Sequence, residues 1–67
     1  MLPSEVKMST EWGEVPDAVR PRDISIEVAT NYGLIRLFSS QKKVFLDKKG
    51  LQKLRELLDI AESTLWK

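Results

Sequence analysis

The side chains best suited to chemistry in this chain are the cations and aromatic rings of its middle third: Arg36, Phe38, Lys42, Lys43, Phe45, Lys48 and Lys49. Rings stack on bases while cations meet phosphates, and each stacked base is worth roughly 1 to 3 kcal/mol. The grouping depends on alternation. If Ile35, Leu37, Val44 and Leu46 point into a core, then Arg36, Phe38, Lys43 and Phe45 point together to the other side, with Tyr32 at the adjoining turn. A slip of one residue in the second strand would instead bury Leu34 and Phe38 and dissolve the group. No ribonucleoprotein-type motif accompanies these residues. Two plainer readings compete with the nucleic-acid one. An arm carrying Leu2, Val6, Met8 or Trp12 could lie across Phe38 and Phe45, or two copies could pack sheet to sheet. The lysines could equally serve to blunt strand edges and solubilise the start of a helix.

Charge along the chain favours an anionic partner. The formal net charge is +1, from 11 basic and 10 acidic residues. Residues 1–35 carry three basic against six acidic groups, residues 36–55 carry seven basic against Asp47 alone, and residues 56–67 carry one basic against three acidic. A basic segment between two acidic ones is an electrostatic footprint for nucleic acid or for an acidic protein surface. Lys48 and Lys49 also oppose the macrodipole of a helix beginning there, which prefers anions at its N-terminus.

Composition removes most catalytic chemistry. The sequence has no Cys and no His, so thiol chemistry and a Ser-His-Asp triad are both impossible. No disulfide or zinc site can reinforce the fold. No catalytic residue, metal ligand or cofactor is expected. Glu56, Asp59 and Glu62 drift around the helix and read as a solvated acidic face. The glycines, at 13, 33 and 50, form no phosphate-cradling loop. No apolar run reaches the ~18 to 20 residues of a membrane span, and residues 1–10 do not resemble a signal peptide. A cytoplasmic protein without a small-molecule substrate is the expectation.

The elements that position these residues are local and periodic. Residues 1–22 hold all three prolines and no sustained period, so they read as an extended arm. Residues 6–9 could pair as a fourth, edge strand, and residues 17–20 could make a single turn. Trp12, Val15 and Val19 are unusual in a disordered tail, so the arm is expected to dock on the body. Residues 23–67 read as a β-β-β-α unit. Ile24, Ile26 and Val28 alternate with polar or small residues, Thr30 to Gly33 make a turn with Asn31 and Gly33 suited to positive φ, and strands follow at 34–39 and 43–46. Asp47 is placed to cap a helix from Lys48 to the C-terminus, with Leu51, Leu54, Leu58, Ala61 and Leu65 as its inward stripe. Gly50 is expected to weaken its first turn by up to about 1 kcal/mol. The expected fold is α+β: a small antiparallel sheet of three strands, or four with the arm, packed on one C-terminal helix.

That helix has more apolar surface than one seam needs. Leu57 and Ile60 lie beyond the main stripe, and with Trp12 and Trp66 they are candidates for a protein interface. A body of only ~45 residues has little core, so completion by the arm, a partner or a homodimer is physically reasonable. The run Val44, Phe45, Leu46, Asp47 leading into Leu51, Gln52, Lys53, Leu54, Arg55, Glu56, Leu57, Leu58 resembles the strand-into-helix ending of the single-strand-binding transcriptional coactivator family. The resemblance covers about a third of the chain and rests on topology; it implies a curved antiparallel sheet of four strands and a C-terminal helix that dimerises. The expected function is a non-enzymatic module that contacts single-stranded or duplex DNA through the basic and aromatic sheet face. The alternative is a protein-interaction module, such as a small phage- or mobile-element-type inhibitor or regulator of a larger protein, or a homodimer whose extra apolar surface is only interface.

Overall fold

The computed structural model describes residues 4–40 and 42–66. Leu2, expected among the arm's docking residues, and Gln41, in the second turn, lie outside them. Three strands, β1 (Ile24–Ala29), β2 (Leu34–Ser39) and β3 (Lys42–Leu46), form one antiparallel sheet in the order β1-β2-β3. A helix, α1 (Lys48–Leu65), follows, and a single 3-10 turn at Pro21–Asp23 leads into β1. Pro21 suits that turn because its fixed φ matches a first helical position, where no N–H is needed. Residues 6–9 form no strand, and residues 17–20 form no turn. Among the described residues, the turn of helix before β1 lies just beyond them, where Pro21 sets the backbone.

The first hairpin closes on Ala29, whose carbonyl accepts from the amides of Tyr32 (3.3 Å) and Gly33 (2.9 Å). Gly33 takes the left-handed conformation at φ 65°, as expected, but Asn31 does not. The other left-handed residue described is Ser40, at φ 56° in the second turn. Its amide donates to the Asp23 carbonyl at 3.2 Å, which ties that turn to the start of β1.

The helix begins where the sequence places its cap. The Asp47 carboxylate Oδ1 accepts from the Gly50 amide at 2.7 Å. Glycine at this position has a steric reason, because a Cβ there would stand 3.1 Å from Oδ1 and 3.6 Å from Leu46 Cδ2. Removing the cap by Asp47→Ala is expected to cost about 1 kcal/mol. Gly50→Ala should fall short of its usual helix-propensity gain in the native chain and deliver about 1 kcal/mol only alongside Asp47→Ala. Urea denaturation of the four chains in that cycle measures the coupling; strict additivity would refute it.

Packing departs from expectation on the helix. Leu51, Leu54, Leu57, Ile60 and Thr64 are its half-buried positions after Gly50, whereas Leu58, Ala61 and Leu65, expected in the inward stripe, are exposed. The seam is therefore turned toward Leu57 and Ile60, which the sequence placed outside it. Steps of three residues fall about 60° short of a full turn, so a 51-54-57-60 line winds around the helix instead of following its axis. Thr64 Oγ1 donates back to the Ile60 carbonyl at 2.8 Å.

The arm follows the helix. Lys53 Nζ stands 3.1 Å from Glu5 Oε1, and Val6, Met8 and Trp12 share a recess with Ala61, Thr64 and Leu65. Lys53's hydrogen bond and charge hold the Glu5 carboxyl below its ordinary pKa, and Glu5 in turn raises that of Lys53. A depressed carboxylate contributes above its ordinary titration range and loses that contribution as pH falls through the lowered value. A raised lysine contributes below its ordinary range and loses it as pH climbs through the raised value. Arm attachment at Glu5 is thus greatest between the two, and it weakens with salt because the pair is open to solvent. NMR titration should find the Glu5 carboxyl below the usual glutamate range and higher in Lys53→Ala; an identical midpoint in both would count against the contact.

The molecule is open throughout. No described residue is buried, and its extents are 42 × 28 × 20 Å. Its radius of gyration is 14.2 Å, against about 11 Å for a compact chain of this length.

Candidate nucleic-acid interface

Strand register decides which side chains share a face. Across β1, β2 and β3 the aligned rows are Ser25–Phe38–Lys43 and Glu27–Arg36–Phe45, with Ala29 opposite Leu34. Arg36, Phe38, Lys43 and Phe45 therefore lie on one face, and the alternative register is not adopted. Ile35 and Leu37 fall on the other face with Ile24, Ile26 and Val28, as alternation requires.

Lys42 does not join this group. It aligns with Ser39 and, across β2, with Ile24, which puts it at one end of the aliphatic face. Lys48 and Lys49 are exposed in the first turn of α1, directly beyond β3. That turn carries no acidic side chain, so nothing within it offsets the opposed macrodipole.

On the basic face the two rings have different surroundings. Phe38 is half-buried, with the Arg36 guanidinium carbon 4.9 Å and Lys43 Nζ 5.9 Å from its ring centroid. Both distances fall within cation–π range, so this ring is already engaged by the cations beside it. Phe45 is 61% exposed. It borders a hollow of about 260 Å³ whose other walls include Tyr32, Leu34, Arg36 and Glu27.

Glu27, which the sequence reading did not single out, joins this face. It is the direct cross-strand partner of Arg36 and forms an ion pair with its guanidinium. The signal was available, since Ser25, Glu27 and Ala29 alternate with Ile24, Ile26 and Val28 and so share the face of Arg36. The pair lowers the net charge of the platform, and it places donor and acceptor side by side next to an open ring. Such a combination can stack a base and meet its polar edge.

Of the interface candidates, Trp12 lies in the recess beside Leu65, and Trp66 follows Leu65 with its amide on the Glu62 carbonyl at 2.8 Å; both rings are exposed. Leu57 and Ile60 are half-buried. The arm does not run as a covering layer for Phe45: its ion pair and its recess are with α1. Among the described residues there is no group of three or more acidic side chains placed to hold a metal ion, and no helix long and apolar enough to cross a membrane.

Fold and face together define an α+β meander with one C-terminal helix, presenting an open basic and aromatic sheet surface. Comparison with family models, with curated proteins and with solved structures finds no match to this chain.

Proposed function

We propose that this protein is a non-enzymatic module that binds single-stranded nucleic acid on the β-sheet face carrying Arg36, Phe38, Lys43 and Phe45. The observation that carries this reading is Phe45, an exposed ring on an open face, in the same cross-strand row as Arg36 and two residues along β3 from Lys43. An exposed aromatic among cations accepts any base by stacking and any phosphate by charge, which gives affinity with little sequence preference. Lys48 and Lys49 extend the positive surface beyond the end of β3. The hollow beside Phe45 favours a splayed base over a duplex, whose bases are already stacked on one another.

Fluorescence anisotropy with labelled single-stranded DNA, single-stranded RNA and duplex of equal length tests the reading at about 50 mM salt, where phosphate contacts are strong. Tighter binding of the single strands supports it. No binding to any of the three, or binding unaffected by salt, rejects it.

A second reading has its own observation. Trp12 and Leu65 border one recess at the far end of α1, Trp66 follows Leu65 in the chain, and all three are exposed; tryptophan is among the residues most enriched at energetic centres of protein interfaces. In that reading these residues anchor a partner protein whose acidic surface meets the basic segment. Trp12→Ala with Trp66→Ala would then abolish capture of one stoichiometric, nuclease-resistant partner while leaving oligonucleotide binding unchanged.

A further inference from the structure

Two of the three rows on the sheet's second face are aliphatic and stand open; the third is Ile24–Ser39–Lys42. The central row is Ile26–Leu37–Val44, and the row Val28–Ile35–Leu46 lies beside it toward the helix end. Ile26 and Val28 are 64% and 68% exposed. The helix comes close to this sheet at the end of β3, where Leu46 lies next to Gly50, and it leaves β1 uncovered. A sheet with one face apolar needs a second layer over that face to be stable.

We propose that the second layer is another copy of this chain, with the two aliphatic faces packed against each other as a two-sheet sandwich. Three observations select that occupant. First, the exposed area is 6622 Å², whereas a folded monomer of this mass exposes about 4,300 Å². Part of that surplus lies on the exposed arm and helix and part on this face; a standard interface needs roughly 800 Å² of it from each copy. Second, the two rows contain no ionisable and no hydrogen-bonding side chain. These two rows can therefore meet their own image without opposing like charges or burying an unpaired polar group, with Ser39 and Lys42 left at the rim. Third, Glu27, Arg36 and Lys43 all lie on the opposite face, and Lys42 is at one end of the aliphatic face. A partner recognised by charge would find nothing to read in its centre.

This arrangement is independent of the nucleic-acid reading and leaves both basic faces pointing outward. Sedimentation across a range up to about 100 µM, paired with melting at each concentration, tests it. The native chain is expected to be a dimer whose melting temperature rises with concentration, because association and folding are linked. Ile26→Lys is expected to raise the dissociation constant about a hundredfold or more by burying an unpaired charge. Leu58→Lys, on the exposed side of α1, should leave the dimer intact. If Ile26→Lys does not fold, the milder Ile26→Ser and the concentration dependence of the native chain decide. A monomer at every concentration with a constant melting temperature overturns the proposal, as does a dimer that survives Ile26→Lys or is broken by Leu58→Lys.

Discussion

Raising salt from about 50 to about 200 mM is expected to weaken single-strand binding roughly fiftyfold. The figure follows from the cations that the structure leaves available. Arg36 and Lys43 lie on the proposed binding face, and Lys48 and Lys49 are exposed in the first turn of α1, which follows β3. Lys42 belongs to the other face, and Lys53 stands on α1 with the arm's Glu5, so neither is counted; Arg36 is counted as a cation that exchanges Glu27 for phosphate on the same face. Four phosphate contacts on a single strand give a log–log slope near −2.8, since each contributes about −0.7 through counterion release. Lys48→Gln with Lys49→Gln should flatten the slope by about 1.4, whatever the oligonucleotide sequence. Glu27 gives a finer check. Its carboxylate competes with phosphate for the Arg36 guanidinium, so Glu27→Gln should tighten binding at low salt. Anisotropy titrations at four salt concentrations measure both effects. A slope indistinguishable from zero would show that the basic segment does not meet phosphates.

The second large effect separates the two phenylalanines. Phe45→Ala is expected to reduce single-strand affinity by about 5- to 150-fold, the worth of one stacked base, with stability changed by less than about 1 kcal/mol because the ring is mostly exposed. Phe38→Ala should behave differently. That ring is half-buried and has two cations against it, so its loss should cost about 2 kcal/mol of stability, below the 3 to 5 kcal/mol of a fully buried ring. Binding would fall as well, since Arg36 and Lys43 lose the surface that orients them. Denaturation and binding measured on the same two variants give the comparison. Equal destabilisation by both, with unchanged affinity, would mean that the rings are merely core.

Both expectations rest on a face that was legible in the sequence. Alternation in β1 and β2 placed Ile26 and Leu37 on one side and Arg36 and Phe38 on the other. A polar break then reset β3, so that Lys43 and Phe45 joined them. Lys42 was misplaced because β3 begins one residue earlier than its apolar pattern suggested. A residue added at a strand's start lands on the opposite face from its neighbour. The helix seam was harder to read. Leu54, Leu57, Leu58, Ile60, Ala61 and Leu65 satisfy more than one inward stripe, so periodicity alone did not choose between Leu58 and Leu57.

By itself, then, the sequence determined the elements and the two faces of the sheet: where strands alternate, where Asp47 starts the helix, and which chemistry no residue can supply. These properties are local, set by backbone geometry and by neighbours a few positions away. Only the tertiary structure decided that the arm lies along α1 and that the aliphatic face stays open. Those outcomes depend on contacts between segments far apart in the chain. Each such contact is worth little and competes with many alternatives, so no short-range pattern records which one prevails.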